Sequence, residues 1–196
     1  MEQQLNDTYW SNRYQNQQTG WDIGTASQPL KEYIQQYNNK NARILIPGCG
    51  NAHEAKFLID EGFQNITLID ISKVLVEELQ EQLAAYPQQV QIIHGDFFEH
   101  EGEYDLIIEQ TFFCAIDPVL RKRYAEKMEE LLAENGKLVG VLFNRNFEGG
   151  PPFGGTKEEY ISIFSPYFEI KTMGDCYNSI KPRANTELFI NLLPKK

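Results

Sequence analysis

The sequence has little positive charge, and its longest runs of basic residues are Arg121–Arg123 and the final Lys195-Lys196. Its 18 lysines and arginines face 28 aspartates and glutamates, which gives a formal net charge of -10. A nucleic-acid backbone would be repelled by most of such a surface, so we expect no nucleic-acid partner. The sequence also has no apolar run long enough to cross a bilayer, and its first residues do not resemble a signal peptide. We therefore expect no association with a membrane.

Cysteine and histidine are scarce, with three residues of each. The cysteines form no Cys-x-x-Cys pair, so we expect free thiols in a reducing cytoplasm. The histidines lack the spacing typical of metal ligands, and we assign no metal. The chain of 196 residues suits one domain with a full core, and no repeat or linker divides it. We expect this domain to be a monomer.

The clearest pattern is the apolar run Ile44–Ile46, which leads through Pro47 into a Gly-x-Gly turn at Gly48–Gly50. Glycines allow a ligand to approach the backbone closely, and the first turn of a following helix offers free N–H groups. Asp70 ends a second apolar run, 20 residues after Gly50, where a carboxylate can accept hydrogen bonds from both hydroxyls of a ribose. This pattern predicts a nucleoside site; the alternative is an ordinary tight turn with a solvated aspartate.

A dinucleotide-binding Gly-x-Gly-x-x-Gly fingerprint would need a third glycine where His53 stands. A bulky residue there would obstruct the close packing that a pyrophosphate requires. The shorter turn, with Glu54 just after it, suits a ligand without phosphates, such as S-adenosylmethionine. A nicotinamide-dependent oxidoreductase remains an alternative that His53 disfavours.

Short apolar strands alternate with helical segments along most of the chain, which predicts an α/β fold with a mostly parallel sheet. The last two strands have no helix between them, so we expect them to form an antiparallel pair. The predicted strands are 43–47, 65–70, 90–94, 104–109, 137–143, 167–173 and 186–193. The predicted helices are 30–37, 52–61, a helix capped by Ser72, 117–132 and 157–164.

Ligands of open α/β sheets bind beyond the carboxyl ends of the strands. Asp96 and Phe97 follow the third predicted strand, and a carboxylate there can accept a hydrogen bond from the adenine amine; the alternative for Asp96 is a helix cap. Glu109 and Gln110 end the fourth, and we expect them beside the amino-acid part of the cofactor and its methyl group. The alternative for Glu109 is a salt bridge with a nearby arginine or lysine.

The first 29 residues are polar and aromatic and hold both tryptophans of the chain. Disordered tails are poor in aromatic residues, so we expect residues 1–29 to fold over the domain as a lid. Trp10, Tyr14 and Trp21 could attract a sulfonium through their ring faces and keep water from its methyl group. Plain core packing is the alternative for these three rings.

Four segments together resemble the thiopurine S-methyltransferase family, and more closely its plant halide and thiol methyltransferases. They are Thr19–Gly24 (with Trp10 before it and Pro29-Leu30 after it), Ile46–Gly50, Tyr104–Ile116 and Gly149–Phe153. The resemblance covers nearly the whole chain. It implies a class I, Rossmann-like methyltransferase fold, with helices on both faces of the sheet, that uses S-adenosylmethionine.

The resemblance also implies which residues contact the cofactor. Carried over by position, they are Trp10, Tyr14, Trp21, Gly48, Asp70, Asp96, Phe97 and Gln110. Gln110 departs from the family, because halide and thiol members have an aromatic residue there and thiopurine members an arginine. Tyr14 stands where halide and thiol members have tryptophan, and Glu109 stands where the family usually has aspartate.

We expect methyl transfer to a small soft nucleophile, namely a thiol, bisulfide, a halide or a thiopurine. Such an acceptor needs no strong base, so positioning and desolvation can supply most of the acceleration. We assign no catalytic residue, and we interpret Cys49 and Cys114 as small turn and core residues rather than nucleophiles. Arg145 and Arg183 could hold an anionic acceptor or could simply be solvated. A protein that binds the nucleoside without chemistry is a further alternative.

Overall fold

The computed structural model describes residues 4–196, and residues 1–3 of the predicted lid lie outside this range. The strands are β1 (Arg43–Pro47), β2 (Asn65–Asp70), β3 (Val90–His94), β4 (Tyr104–Gln110), β5 (Leu132–Phe143), β6 (Phe168–Asp175) and β7 (Glu187–Pro194). The helices are α1 (Asp7–Gln15), α2 (Gln28–Gln36), α3 (His53–Asp60), α4 (Lys73–Gln82), α5 (Arg121–Leu131) and α6 (Lys157–Phe164). Short 3-10 turns occupy Phe97–Glu99, Pro118–Leu120 and Lys181–Arg183.

The seven strands form one sheet in the order β3-β2-β1-β4-β5-β7-β6. The first five strands of this order are parallel, whereas β7 runs antiparallel to both β5 and β6. The mostly parallel sheet and the antiparallel end are therefore confirmed. The strand order reverses direction between β1 and β4, which is where open α/β sheets bind their ligands.

Helices cover both faces of the sheet, as the sequence predicts. On one face α5 contacts β5 and α6 contacts β6, in a core that includes Tyr124, Met128 and Phe164. On the other face α2 contacts β5 and α3, and α4 contacts β2 and β3, with Leu30 and Leu58 fully buried. Neither helix layer includes a segment that could span a bilayer, as far as residues 4–196 are concerned.

Local signals in the sequence account for most element boundaries. The Ser72 hydroxyl accepts a hydrogen bond from the Leu75 amide at 3.3 Å and caps α4. Thr156 caps α6 in the same way, through a 3.3 Å hydrogen bond from the Glu159 amide. The predicted start of β5 is wrong, because the strand begins at Leu132, which pairs with Tyr104, and not at residue 137.

Candidate functional site

The Gly-x-Gly turn lies between β1 and α3, as predicted. Gly48 and Gly50 have φ angles of +54° and +51°, a left-handed conformation that glycine adopts without strain. The Gly48 amide donates to the Ile69 carbonyl at 2.8 Å, which fixes the turn against the end of β2. A Cβ atom on Gly48 would lie 2.3 Å from Cδ2 of Phe112, so no other residue fits at this position without displacing that ring.

Asp70 ends β2 beside this turn and is 8% exposed. One of its oxygens accepts a hydrogen bond from the Ser72 amide at 2.9 Å. Burial raises the pKa of Asp70 to about 6, and hydrogen bonds from the amides of Ser72, Gly50 and Ile71 limit the rise. A buried carboxylate with unused acceptor capacity at a strand end can receive a diol.

Asp96 and Phe97 follow β3, and the structure separates their environments. Asp96 is exposed, and one of its oxygens accepts from the Phe98 amide at 2.9 Å, so it caps the short 3-10 turn. The helix cap predicted as the alternative for Asp96 is therefore present, although Asp96 also lines the cavity described below. Phe97 is buried, and its ring centroid lies 5.2 Å from that of Phe112 in an edge-to-face contact.

The aromatic residues of the N-terminal segment pack against one another. The Trp21 ring makes edge-to-face contacts with Trp10, at 5.5 Å between centroids, and with Tyr14, at 5.7 Å. Burial raises the pKa of the Tyr14 phenol, and the nearby Asp70 and Cys49 raise it further. Tyr14 therefore remains a neutral hydroxyl beside the Asp70 carboxylate.

Asp22 connects this segment to the glycine-rich turn. Its carboxylate accepts hydrogen bonds from Asn51 Nδ2, from His53 Nε2 at 2.8 Å and from the Gly24 amide at 2.6 Å. Burial, the largest single influence, raises the pKa of Asp22, but the hydrogen bonds from Gly24, Asn51 and His53 outweigh it and leave the pKa lowered. Arg183 adds a contact from the far end of the chain, because its Nη2 donates to the Trp21 carbonyl at 2.6 Å.

Two further contacts attach the N-terminal segment to the helices beneath it. The Ser11 hydroxyl lies 3.0 Å from that of Ser72, at the start of α4. The Ser27 amide donates to a Glu54 carboxylate oxygen at 2.9 Å, at the start of α3. Neither contact is predicted from the sequence, and only the position of Glu54 in the first turn of a helix could have suggested the second.

Of the two residues predicted to face the cofactor at the end of β4, only one lines the cavity. Gln110 lines the cavity, but the neighbouring Glu109 is 0% exposed and is not among the residues that line it. Side chains alternate across a strand, so adjacent residues cannot both face one site. The salt bridge weighed for Glu109 is not observed either, since its partners among the described residues are the amides of Phe112 and Phe113 and the hydroxyl of Tyr124.

The far wall is formed by the loop after β4 and the Gly-Pro-Pro-Phe loop. The Phe153 amide donates to the Cys114 carbonyl at 2.7 Å and joins the two loops. Arg121 holds the second loop from α5, donating to the carbonyls of Phe153 at 3.1 Å and Gly154 at 2.8 Å. Apolar residues face the cavity here, namely Cys114, Ala115, Ile116, Leu120, Pro151 and Pro152.

These elements enclose one cavity of about 520 Å³ beyond the carboxyl ends of β1 to β4. All eight residues predicted to contact a cofactor line it: Trp10, Tyr14, Trp21, Gly48, Asp70, Asp96, Phe97 and Gln110. Its described lining contains five carboxylates but neither lysine nor arginine, so Arg145 and Arg183 do not reach it. Among residues 4–196 no group of three or more histidine, cysteine or acidic side chains is placed to hold a metal ion.

The sequence profile of the thiopurine S-methyltransferase family matches residues 5–191. The chain belongs to this family. It is 29% identical over 184 residues to a probable thiol methyltransferase 2 of Arabidopsis thaliana, covering 91% of this chain and 81% of the relative. It is 28% identical over 163 residues to thiocyanate methyltransferase 1 of Brassica oleracea, covering 80% of this chain and 71% of the relative.

A solved structure shares the fold at low sequence identity. This is 1,6-didemethyltoxoflavin-N1-methyltransferase of Burkholderia thailandensis, described with its substrate and S-adenosylhomocysteine bound. The TM-score is 0.78 at 15% identity, over 97% of this chain and 87% of that one. With family membership, this establishes a class I methyltransferase fold, and the protein is an S-adenosylmethionine-dependent methyltransferase.

The residues that line the cavity fit S-adenosylmethionine. The left-handed Gly48 and Gly50 keep the turn free of side chains, and Asp70 ends β2 with acceptor capacity for a ribose. The buried Oε1 atom of Gln110 has no hydrogen-bond partner among the described residues, although buried polar atoms are normally paired. A donor on a bound ligand would satisfy it.

Proposed function

We propose that the eight residues predicted from the sequence form the cofactor site. The observation that carries this proposal is that one cavity, at the point where the sheet order reverses, is lined by all of them. Asp70 accepts the ribose hydroxyls, the backbone of Gly48 makes room for the amino-acid part, and Asp96 with Phe97 contacts the adenine. Gln110 faces the reactive end.

We propose that residues 1–29 act as a lid within a single domain of residues 1–196. The contacts of Asp22 with His53 and Asn51 support this role, because they join the lid to the turn that carries the cofactor. The rings of Trp10, Tyr14 and Trp21 then lie over the cavity, where they can stabilise a sulfonium by about 0.5–2 kcal/mol.

For the acceptor we propose a small soft nucleophile: a thiol, bisulfide, a halide or a thiopurine. The apolar far wall around Cys114 and Pro151 supports a polarizable acceptor without many hydrogen-bonding groups. The described lining has no lysine or arginine, so the charge of an anionic acceptor would be balanced by the sulfonium of the cofactor. The named activities of the thiol and thiocyanate methyltransferase relatives agree with this class.

The cofactor supplies a methyl group already activated by the sulfonium charge, so the protein has only to align the acceptor and exclude water. Holding two reactants in line can provide about 7–11 kcal/mol of the acceleration. The cavity thiols are poor nucleophiles, because burial raises the pKa of both Cys49 and Cys114 well above the ordinary value. We therefore assign neither cysteine a covalent role.

A methyltransferase assay over thiols, bisulfide, halides, thiocyanate and thiopurines tests this proposal. We expect methylated product with at least one of these acceptors and no product when the cofactor is omitted. Titration with S-adenosylhomocysteine and with NAD tests the cofactor site separately, and we expect binding of the first only. Tight binding of S-adenosylhomocysteine without product from any acceptor would favour a binding protein.

We further propose that the protein is a cytoplasmic monomer. Its described cysteines are all free and buried, which agrees with a reducing compartment. Its exposed large apolar residues are scattered, namely Tyr86, Val119, Ile161 and Tyr177. Scattered residues of this kind do not form the continuous patch that a stable interface needs.

A further inference from the structure

Glu109 is a fully buried carboxyl group that the proposed cofactor and acceptor contacts do not use. It lies on β4, one residue before Gln110, and its side chain points away from the cavity. The neighbouring strand makes space for it with a glycine, because a Cβ atom on Gly140 would lie 2.4 Å from Cβ of Glu109. A carboxyl group buried to this degree needs hydrogen-bond partners.

Within residues 4–196 Glu109 has three hydrogen-bond partners, and all of them are donors. One carboxylate oxygen accepts from the amides of Phe112, at 2.8 Å, and Phe113, at 3.0 Å. The other accepts from the hydroxyl of Tyr124, on α5, at 2.5 Å. Three donors converging on one carboxyl group match its ionised form, because a carboxylate only accepts.

The segment held in this way is a strained turn at the edge of the cavity. Thr111 has a φ of +60°, an unfavourable conformation for a β-branched residue, which persists only where surrounding contacts fix it. Gln110, Thr111 and Phe112 all line the cavity. The Phe112 ring lies directly over Gly48, so the shape of this turn sets the distance between the glycine-rich turn and the acceptor wall.

The surroundings of Glu109 hold few other titratable groups. Tyr124 faces it from α5, and Cys114 lies close enough for the Glu109 charge to raise the pKa of its thiol. Burial raises the pKa of Glu109 to about 7, while the hydrogen bonds from Tyr124, Phe113 and Phe112 hold it down. A proton on the oxygen that faces Tyr124 would reverse that hydrogen bond, and the neutral carboxyl group would then accept the amides of Phe112 and Phe113 more weakly than a carboxylate does.

We infer that Glu109 is a positioning residue for methyl transfer: its carboxylate holds the turn 110–113 in the shape that the acceptor requires, and its protonation weakens that hold. This inference rests on the proposed function, since the acceptor end of the cavity is itself proposed. It assigns Glu109 no contact with the acceptor and no transfer of a proton to or from it.

Nuclear magnetic resonance tests the inference without any turnover. With S-adenosylhomocysteine bound, the amide protons of Phe112 and Phe113 should shift together with pH, with a midpoint near the Glu109 pKa of about 7. The substitution Glu109→Gln should abolish this shift. Tyr124→Phe removes a hydrogen bond that stabilises the carboxylate, and so should move the midpoint to higher pH.

The pH profile of kcat/KM gives the functional test. It is measured at saturating cofactor, so that Asp70 does not contribute, and with an acceptor that does not titrate in this range, such as iodide or thiocyanate. The wild-type protein should lose activity as the pH falls through the Glu109 pKa, and Glu109→Gln should show no such decline. At pH 8 we expect Glu109→Gln to be about 10- to 100-fold less active, the scale of a misplaced reacting group.

Two results would overturn the inference. One is that the amides of Phe112 and Phe113 do not titrate in the wild-type protein, and the other is that Glu109→Gln keeps the wild-type pH profile. If Glu109→Gln fails to fold, Tyr124→Phe decides both tests. The pH midpoints of the amide shifts and of kcat/KM should then both move to higher pH, and unchanged midpoints would contradict the inference. If no acceptor is methylated, the proposed function fails, but the amide titration still decides whether Glu109 controls the turn.

Discussion

His53 Nε2 lies 2.8 Å from a carboxylate oxygen of Asp22, and this contact ties the N-terminal segment to the first turn of α3. In the sequence His53 is notable only for replacing the third glycine of a dinucleotide fingerprint. In the structure it joins Asn51 in holding the N-terminal segment through Asp22. The residue that disfavours a pyrophosphate therefore also holds the segment that we propose as a lid.

This relationship predicts that Asp22→Ala loosens the lid. Removing the carboxylate leaves Asn51 and His53 without their shared acceptor, so proteolysis within residues 1–29 should become faster. S-adenosylhomocysteine should protect the wild-type segment from proteolysis and change its tryptophan emission, because both tryptophans lie there. Both effects should be weaker in the variant.

Asp60→Asn provides the matched control, since Asp60 is exposed at the end of α3 and has no hydrogen bond to the lid among the described contacts. It should behave as the wild-type protein does. Equal rates of cleavage with and without ligand in the wild-type protein would exclude a lid.

The Asp70 carboxylate predicts a pH-dependent affinity for the cofactor. Asp70→Ala should weaken binding of S-adenosylhomocysteine by about 1–3 kcal/mol, the scale of lost hydrogen bonds to a charged group. The pKa of Asp70 is raised to about 6, so in the wild-type protein the affinity should be constant above that pH and fall below it as the carboxylate is protonated. Calorimetric titration between pH 5 and 8 measures both effects.

Asp70→Asn should remove the pH dependence, because its amide cannot be deprotonated. The stability of the ligand-free protein should change with pH in the opposite direction to the affinity for the cofactor. A folded-state pKa raised above the ordinary value of 3.8 stabilises the ligand-free protein below that value, and this stabilisation is lost as the pH rises through about 6. A folded Asp70→Ala variant with unchanged affinity would exclude Asp70 from the site.

Much of the fold could be predicted because its signals are local. Alternating strands and helices indicate a parallel sheet, and Ser72 marks the start of α4. By contrast α1 was not predicted, because few of its residues are apolar and it is held by polar contacts such as Ser11 with Ser72. Contacts between residues distant in sequence cannot be inferred from spacing alone.

The site shows the same division between local and distant information. The strand ends predicted the cavity residues that follow β1 to β4, since the carboxyl ends of parallel strands meet at one edge. Trp10, Tyr14 and Trp21 were predicted instead from the aromatic N-terminal segment and the family resemblance. Glu109 was misplaced because the alternation of β4 was not applied to its last two residues, which must face opposite sides of the sheet. The pairing of Asp22 with His53 depends on how the N-terminal segment folds back, which no local pattern encodes.

The close approach of Gly140 to Glu109 predicts an effect on stability. Gly140→Ala would place a methyl group 2.4 Å from Glu109 Cβ and 2.6 Å from the Glu109 carbonyl oxygen, which the backbone cannot easily relieve. We expect a loss of about 1–3 kcal/mol in the free energy of unfolding, measured by urea denaturation. Gly174→Ala in β6 is the control, because a Cβ atom on Gly174 would meet no atom of a non-adjacent residue within 4 Å, and it should change stability by less than about 0.5 kcal/mol.

The last prediction concerns the acceptor. The rings of Trp21 and Phe112 narrow the cavity, and its far wall is apolar, so small thiols, bisulfide or halides should be methylated in preference to oxygen or nitrogen nucleophiles. For thiols the rate should rise with pH as the thiolate fraction grows, because thiols ionise near pH ~8.5. With iodide, which does not ionise in this range, this rise in rate with pH should be absent.

Ala115 offers a direct test of acceptor size, because it lines the far wall and is only half-buried. Ala115→Leu should raise KM for a bulky thiol by about tenfold, the effect of losing one well-fitted group, and should leave KM for iodide nearly unchanged. Iodide thus serves as the control within the same variant. Equal changes in KM for both acceptors would place Ala115 outside the acceptor site. Faster methylation of catechols or amines than of every thiol and halide by the wild-type protein would refute the proposed acceptor class.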